Sequence, residues 1–297
     1  MHTARRAEDA GFNIFLIRDH FIAEPFGHQL APLTTLATVA STVKHLRIGS
    51  LVFGATYRHP VLLAKEIATL DVLSEGRVEL GLGTGFSRTE YEQAGMCFEP
   101  PGSRLERLAE VLHVLKGVFS DGPFTFAGKH YAITDLECFP KPVQRPHPPI
   151  LVGGAGPRLL SVAAREADII GLQTVDTQHG VLLREPTARL AETAMRKIQQ
   201  VRLAAGTRFD EIELSTVASV IVTDHREEVA ERFAHEQHWI EVSAEKVLEM
   251  PSVLIGTVGQ IVADMRMRRE RFGFSYYVFS DHVMEDVAPI VSRLAGT

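Results

Sequence analysis

Short apolar runs alternate with longer amphipathic segments along nearly the whole chain, and this alternation constrains the fold more than any other feature. Seven runs, rich in β-branched residues, have the length of buried strands, and helical patterns lie between them. The runs are residues 13–17, 46–53, 77–83, 149–153, 167–172, 213–222 and 275–280. This order is typical of βα units and therefore of a parallel sheet.

The helical segments make the same prediction. Residues 60–73 begin with a proline suited to a first helical turn and end before Ser-Glu-Gly, and residues 104–119 carry leucines along one face. Residues 3–10 also read as a helix, although a βα series should open with a strand. Seven visible strands and one missing strand give the eight of a TIM (β/α)8 barrel. The alternative, an open doubly wound sheet, usually closes with five or six strands.

We therefore predict an α/β protein, a TIM (β/α)8 barrel with loop insertions, formed by a single domain over residues 1–297. Its first strand is absent from this chain, and we expect the native protein to carry roughly ten or more residues upstream, enough for a strand and its connection. Three insertions interrupt the pattern. Residues 121–147 hold a hairpin and a proline-rich run, residues 174–185 look irregular, and residues 239–257 have their own short helix.

Charge and cysteine content exclude several classes of protein. The net charge is −6, so the protein lacks the basic face that binding to nucleic acid or to an anionic membrane would need. Cys97 and Cys138 are too few for a disulfide framework and lack the spacing of a zinc site. No apolar run approaches the roughly 18 residues of a membrane span, and the first eleven residues do not resemble a signal peptide. We expect a cytoplasmic protein with a small-molecule substrate.

Histidines follow several strands, at the edge where barrels carry function. Asp19 and His20 come directly after the first visible strand, and His is the side chain most readily tuned to proton transfer near neutral pH. A partly exposed loop histidine is the plain alternative. His59 and His282 raise the possibility of a metal, but paired ligand motifs and clustered carboxylates are lacking, so we predict no metal site.

Two glycine-rich turns also follow strands. The run from Gly81 to Gly85 is followed by Phe86, at the position where a dinucleotide-binding fingerprint needs its third glycine. The run is therefore either a place where a flat ligand approaches the backbone closely or a plain turn. The second turn consists of residues with few conformational restrictions and precedes a proline that starts a helix. Its backbone amides can form a nest, which is an arrangement that binds phosphate. Its residues are Gly153, Gly154, Ala155 and Gly156. A helix entry without any ligand is the alternative.

Four sequence motifs occur in order along the chain. They read ARRAEDAGF, SLVFGATYRHPVLLAKEIATLDVLSEGRVELGLGTG, SRTEYEQAG and PILVGGAGPRLLSVAAREAD, and a strand ending in Asp19-His20 lies between the first two. This series closely resembles the luciferase-like flavin and deazaflavin oxidoreductase family. The closest likeness is to the branch that uses coenzyme F420, an 8-hydroxy-5-deazaflavin, rather than to the FMN-dependent monooxygenases.

The resemblance implies a TIM barrel that holds the ring of the cofactor at its C-terminal edge. His20 matches the family histidine near the reacting carbon, and Asp19 is expected at most to orient it. Ser50 and Leu51 match a non-prolyl cis peptide bond in a bulge that supports the ring from behind. Gly83 and Thr84 match contacts to the cofactor side chain, and the nest of Gly153 to Gly156 matches its phosphate site.

Two positions depart from the family's sugar-phosphate dehydrogenases. That branch has a glutamate where Phe86 stands and a tryptophan where Glu24 stands, so a sugar phosphate is a poor substrate guess. The expected activity is hydride transfer between F420 and a small organic substrate, with His20 as proton donor or acceptor. The alternatives are an FMN-dependent monooxygenase that uses reduced flavin and O2, and a family member that binds flavin without turnover. The resemblance also implies a homodimer.

Overall fold

The computed structural model describes residues 1–178, 181–183 and 185–295. The helices in these ranges are α1 (His2–Asp9), α2 (Pro32–Thr42), α3 (Pro60–Leu73), α4 (Arg88–Gln93), α5 (Pro101–Phe119), α6 (Pro157–Glu166), α7 (Ala191–Ala205), α8 (Arg226–Glu236), α9 (Ala244–Glu249), α10 (Val258–Phe272) and α11 (Met284–Leu294). The strands are β1 (Ile14–Ile17), β2 (Arg47–Ser50), β3 (Phe53–Gly54), β4 (Val78–Gly83), β5 (Phe124–Ala127), β6 (Ala132–Leu136), β7 (Ile150–Gly154), β8 (Ile169–Leu172), β9 (Asp176–Gln178), β10 (Val181–Leu183), β11 (Glu213–Val217), β12 (Ser219–Val222), β13 (Val253–Gly256) and β14 (Phe274–Val278).

The internal contacts of the chain divide it into two compact units, which we describe separately. Unit 1 consists mainly of Met1–Glu8 and Asn13–Gly153. Unit 2 consists mainly of Asp9–Phe12, Gly154–Gln178 and the chain from Leu182 onward. The division therefore falls between the last two residues of β7, Gly153 and Gly154. The prediction of a single domain stays a prediction.

Unit 1 is built on parallel strands in the order β1, β2, β4, β7, with the two-residue β3 added alongside β4. All six residues of β4 are buried, as expected for a strand covered on both faces. Helix α3 has the predicted bounds. Pro60 stands in its first turn, and at its C-terminal end the N–H of Ser74 donates a hydrogen bond to Leu70 O. The predicted hairpin is present as the antiparallel pair β5 and β6.

Unit 2 contains the parallel strands β8, β11 and β14 in that order, and a separate parallel pair of β12 and β13. The single strand expected over 213–222 is wrong, because the backbone changes partner within it. Ala218 N–H donates to Val278 O of β14, whereas Ser219 N–H donates to Ser252 O, next to β13. Residues 239–257 contain the expected short helix, α9, but also strand β13.

A cluster of buried apolar side chains fills the space between α8, α9 and β13. Trp239, only 5% exposed, lies in this cluster and packs edge to face on Phe233, with ring centroids 5.7 Å apart. Residues 174–185 also differ from the expectation of an irregular segment, because β9 and β10 form a two-stranded sheet there. Three residues of that stretch, His179, Gly180 and Arg184, lie outside the described ranges. None of the helices in the described part of the chain has the length and apolarity to cross a bilayer.

Candidate active site

His20 lies three residues beyond the end of β1 and is held by a buried carboxylate from a distant part of unit 1. Its Nδ1 lies 2.9 Å from Oε2 of Glu90, whose side chain is only 1% exposed. Glu90 occupies the first turn of α4, where its N–H donates to the hydroxyl of Ser87, the residue that caps the helix. His20 therefore sits at the predicted edge of the sheet with an orientation fixed from the side.

Two further donors converge on the carboxylate of Glu90. The hydroxyl of Tyr57 donates to Oε2 at 3.0 Å, and the backbone N–H of Phe21 donates to Oε1. Each carboxylate oxygen thus accepts one hydrogen bond, Oε1 from a backbone N–H and Oε2 from a phenol hydroxyl. A buried carboxylate is stable when its lone pairs are satisfied in this way.

Tyr57 belongs to a small cluster of buried phenols. Burial, together with Tyr91 and Glu90 nearby, raises the pKa of Tyr57 far above its ordinary value. Burial likewise raises the pKa of Tyr91, whose hydroxyl is hydrogen bonded to Thr56. The two phenol rings lie 5.1 Å apart. Both tyrosines therefore stay protonated at any physiological pH, and Tyr57 remains a hydrogen-bond donor to Glu90.

Asp19 is engaged elsewhere. Its two oxygens accept from the guanidinium of Arg58, at 2.6 and 3.2 Å, and Oδ2 also accepts from the N–H of Gly54 at 3.2 Å. The structure therefore does not pair Asp19 with His20. The neighbour that orients the imidazole is Glu90, and Asp19 ties the end of β1 to β3 and to the loop after it.

Two aromatic rings pack against the imidazole of His20. The centroid of Phe26 lies 5.1 Å from that of the imidazole, and Phe86 meets the imidazole edge to face at 5.6 Å. Only 16% of the His20 side chain is exposed. Phe86 therefore supplies an apolar surface beside the imidazole of His20.

The non-prolyl cis peptide bond lies one position later than the sequence resemblance implied. It joins Leu51 to Val52, not Ser50 to Leu51. The reason is that β2 continues through Ser50, which is paired with Ile17, and the N–H of Leu51 still donates to Ile17 O at 2.8 Å. The backbone leaves the strand only after that hydrogen bond, so the expected position was wrong by one residue.

The side chain of Val52 lies across the glycines at the ends of β4 and β7. A Cβ added to Gly83 would lie 2.7 Å from Val52 Cγ2, one added to Gly81 would lie 1.9 Å from Ser50 O, and one added to Gly153 would lie 3.4 Å from Val52 Cγ1. Glycine is required at the first two positions because these close approaches leave no room for a side chain. The hydroxyl of Ser50 is buried here with no hydrogen-bond partner among the described residues.

Thr84 and Gly85 follow β4 and are anchored from behind by a buried arginine. Arg104 of α5 donates to Gly85 O and to Thr84 O, the latter at 3.4 Å, and its guanidinium stacks 4.2 Å from the ring of Phe98. Burial lowers the pKa of Arg104. This arginine fixes the backbone of the turn that was expected to contact a cofactor side chain.

The second glycine-rich segment begins inside β7 and leads into α6, and its binding of a phosphate stays a prediction. Gly153 belongs to unit 1, and Gly154, Ala155 and Gly156 belong to unit 2. Gly156 caps the ten-residue α6 without a side-chain hydrogen bond, and Pro157 stands in the first turn. A Cβ on Gly156 would meet no atom within 4 Å, so the space beside the N-terminus of α6 is open.

The orphaned hydroxyl of Ser50 in unit 1 fits a cofactor that would supply its missing partner, and the glycine segment before α6 in unit 2 by itself fits an anion. Val52 and Ser50 O pack closely against the glycines of β4 and fix this part of the backbone, and the unpaired hydroxyl of Ser50 is a buried polar group beside it. Over the described ranges, no three His, Cys, Asp or Glu side chains gather where they could hold a metal ion. His59 instead caps α3, its Nδ1 accepting from Val61 N–H at 3.3 Å.

Comparison with known proteins identifies the family. The sequence profile described as luciferase-like monooxygenase matches residues 1–271. The chain belongs to the luciferase-like monooxygenase family. The family predicted from the motifs is thereby confirmed.

Relatives of this luciferase-like protein differ in cofactor. It is 30% identical over 168 residues to an F420-dependent glucose-6-phosphate dehydrogenase of Amycolatopsis mediterranei (strain U-32), an alignment covering 56% of this chain and 50% of that protein. It is 31% identical over 167 residues to an FMNH(2)-dependent dimethylsulfone monooxygenase of Pseudomonas putida, covering 56% of this chain and 46% of that protein. The chain spans about half the length of the curated relatives that it matches.

Solved structures give the fold. An F420-dependent secondary alcohol dehydrogenase in complex with an F420–acetone adduct matches with a TM-score of 0.75 at 17% identity, over 98% of this chain and 92% of that chain. The fold class predicted from the sequence, an α/β protein of the TIM-barrel type, is confirmed.

Glu90 is one of the residues of this site that the sequence analysis did not single out. A signal was present, since Ser87 and Glu90 have the serine-x-x-glutamate spacing of a capping box. In such a box the glutamate returns to the helix N-terminus, whereas here it reaches His20 and Tyr57. Only the first half of the box is formed, and the pattern alone does not reveal where the carboxylate goes.

Proposed function

We propose that this protein is an oxidoreductase that transfers a hydride between coenzyme F420 and a small organic substrate, with His20 donating or accepting the accompanying proton. The observation that carries the proposal is the position of His20. Its Nδ1 is bound to Glu90, and its Nε2 has no hydrogen-bond partner among the described residues. A histidine held on one nitrogen and open on the other is suited to proton transfer.

The cofactor is proposed from two lines of support. Relatives named as F420-dependent are about 30% identical to this chain, and the glycine turns and Ser50 suit a flat ring with an anionic tail. When bound, F420 supplies a carbon that gives or accepts a hydride. The residues proposed to hold it are Ser50, Leu51, Gly83, Thr84, Gly153, Gly154, Ala155 and Gly156, with Val52 added by the structure.

The geometry supports a role for each of these protein groups. Val52 would support one face of the ring, and Arg104 would keep the carbonyls of Thr84 and Gly85 in place. Phe26 and Phe86 would exclude water around His20 Nε2, so that its proton goes to the substrate rather than to solvent. Asp19 is proposed only as a support of the strand end.

The substrate proposed is small and uncharged where it meets His20. Phe86 and Phe26 offer apolar contacts rather than the hydrogen bonds that a sugar phosphate needs, which sets this chain apart from the glucose-6-phosphate dehydrogenases among its relatives. The second candidate is an FMN-dependent monooxygenase, favoured by the likeness to the dimethylsulfone enzyme. The homodimer and the cytoplasmic location stay predictions.

Titration of the purified protein with oxidised F420 and, separately, with FMN tests the cofactor. Binding is followed by quenching of the cofactor's own fluorescence, which needs no knowledge of the substrate. Saturable binding of F420 alone supports the proposal, whereas binding of FMN alone supports the monooxygenase. Protein that binds neither overturns both.

Turnover separates an enzyme from a flavin-binding protein. The complex with F420 is mixed with a panel of secondary alcohols, or in reduced form with ketones and activated alkenes, while absorbance near 420 nm is followed. A change that depends on both protein and substrate supports hydride transfer. Tight binding with no turnover across the panel favours the third alternative, a protein that binds the cofactor only.

A further inference from the structure

We infer that Glu90 is a positioning residue for His20, which it holds in the tautomer that carries its proton on Nδ1 and presents a lone pair at Nε2. This inference rests on the proposed function for its role in the reaction. The tautomer itself follows from the hydrogen bonds of unit 1 and can be measured without turnover.

The number of donors around the carboxylate decides the direction of the hydrogen bond. Glu90 Oε1 accepts from the backbone N–H of Phe21, and Oε2 accepts from the hydroxyl of Tyr57 at 3.0 Å. With both oxygens already accepting and the side chain 1% exposed, the arrangement matches an ionised carboxylate, which has only lone pairs to offer. The third contact, to His20 Nδ1 at 2.9 Å, is therefore donated by the imidazole.

Tyr57 keeps this direction fixed. If it lost its proton, a second anion would face Glu90, and the hydrogen bonds would have to rearrange. Burial, Tyr91 and Glu90 instead raise the pKa of Tyr57 well above its ordinary value, so the phenol donates throughout the working range of pH. Its ring is packed between Phe21 at 4.7 Å and Tyr91 at 5.1 Å, which holds the hydroxyl in place.

The consequence for His20 concerns its other nitrogen. A neutral imidazole with its proton on Nδ1 has the lone pair on Nε2, so that nitrogen is a base, and in the protonated ring it becomes a donor. Nε2 is the nitrogen of His20 that does not contact Glu90, and the rings of Phe26 and Phe86 pack against the same imidazole. Glu90, whose carboxylate contacts His20, Phe21 and Tyr57, therefore acts through His20 by determining which nitrogen exchanges a proton.

Replacement of Glu90 by glutamine tests the inference because it changes the donors and keeps the shape. The amide oxygen of the new side chain can accept at only one of the two former oxygen positions. If the amide N–H group faces Tyr57 and His20, Nδ1 must become the acceptor and the proton moves to Nε2. We expect the Glu90→Gln variant to lose the Nδ1–H form as its dominant tautomer.

The direct measurement is the nitrogen NMR spectrum of histidine-labelled full-length protein at mildly alkaline pH. The chain has 13 histidines, and the signals of His20 are assigned by their loss in the His20→Gln variant. Wild-type protein with the proton of His20 on Nδ1 supports the inference, and the Nε2–H form in the wild type overturns it. An unchanged tautomer in Glu90→Gln also overturns it.

Matched variants separate positioning from a general structural effect. Glu92→Gln changes an exposed carboxylate on the same helix, which pairs with Arg88 at 3.5 Å, and should leave the spectrum of His20 unchanged. Tyr57→Phe removes one donor but leaves the pair of Glu90 and His20, so the Nδ1–H form should persist. If Glu90→Gln does not fold, the wild-type tautomer and the Tyr57→Phe variant still decide the inference.

Kinetics connects the tautomer to the reaction. In Glu90→Gln we expect kcat to fall about 10- to 100-fold, with a changed pH profile of kcat/KM, while the dissociation constant for F420 stays within about threefold. Equal loss of cofactor binding and kcat would overturn the positioning role. If the wild-type protein binds neither F420 nor FMN, the proposed function fails, and the NMR result still decides the tautomer.

Discussion

Arg58 holds Asp19 with two parallel hydrogen bonds, from Nη1 to Oδ2 at 2.6 Å and from Nη2 to Oδ1 at 3.2 Å. The carboxylate is almost completely buried and the guanidinium is about one-fifth exposed. This two-point geometry is the strong form of an arginine–carboxylate pair. The ion pair of Arg58 and Asp19 fixes the segment that joins β1 to His20. The position of the imidazole therefore depends on an ion pair with which it has no contact.

Removal of Asp19 should therefore destabilise unit 1. Asp19→Ala leaves the guanidinium of Arg58 and the N–H of Gly54 without their acceptor, and we expect a loss of about 2–4 kcal/mol in the free energy of unfolding. Urea unfolding followed by circular dichroism measures it. Glu92→Ala, which breaks the exposed pair with Arg88, is the control and should cost about 0.5 kcal/mol or less. Equal effects of the two changes would contradict this account.

His20→Ala tests the proton transfer itself. We expect turnover to fall about 10²- to 10⁴-fold, the usual contribution of a positioned proton donor, while cofactor affinity changes by no more than a few-fold. Stopped-flow absorbance of the cofactor and fluorescence titration measure the two quantities. His28→Ala, an exposed histidine on the same loop, should change neither. Full turnover in His20→Ala with the true substrate would remove His20 from the mechanism.

Substitutions of Gly83 and Val52 should have non-additive effects on stability, because the two residues are in contact. In Gly83→Ala the new Cβ lies 2.7 Å from Val52 Cγ2, and we expect a loss of about 1–3 kcal/mol of stability and weaker F420 binding. A Gly83→Ala, Val52→Ala double variant makes room for the methyl group, so it should be more stable than the sum of the single changes predicts. Gly259→Ala in α10, where a Cβ would meet only ordinary contacts, is the control. Strict additivity of the two changes would show that the contact does not matter.

The lowered pKa of Glu99 predicts that the stability of the protein depends on pH. The hydrogen bonds from Arg107 lower the pKa of Glu99 below its ordinary value of 4.5. Because the folded-state pKa is the lower one, the contribution is complete above the unfolded-state value and disappears as pH falls through the folded-state value. We expect Glu99→Gln to be less stable than the wild type at neutral pH and to approach it in acid, below pH 4.5. Thermal unfolding at a series of pH values checks this, and a constant difference would contradict it.

Local patterns predicted those parts of the fold that depend on neighbouring residues. Helix α3 begins and ends where the sequence indicates, because Pro60 and the Ser-Glu-Gly turn act within a few residues of the helix ends. No local sequence pattern indicates that the backbone changes its pairing partner between Ala218 and Ser219. Residues 213–222 are uniformly strand-like, and the partner that captures the second half lies more than thirty residues away, at β13.

The site divides in the same way. The position of His20 after a strand could be read from the chain, whereas its hydrogen bond to Glu90 joins residues 70 positions apart. Periodicity carries no information about such a contact, and a family resemblance located the cis peptide bond only to within one residue. The side chain that covers the glycines, Val52, was missed because its role depends on that same bond.

Trp239 gives unit 2 an optical label of its own. It is the single tryptophan of the sequence, and it is buried among the side chains of α8, α9 and β13. Its emission therefore reports on the packing of that cluster alone, while circular dichroism reports on the helices of the whole chain. Comparing the two signals during denaturation distinguishes one cooperative transition from two without any engineered dye.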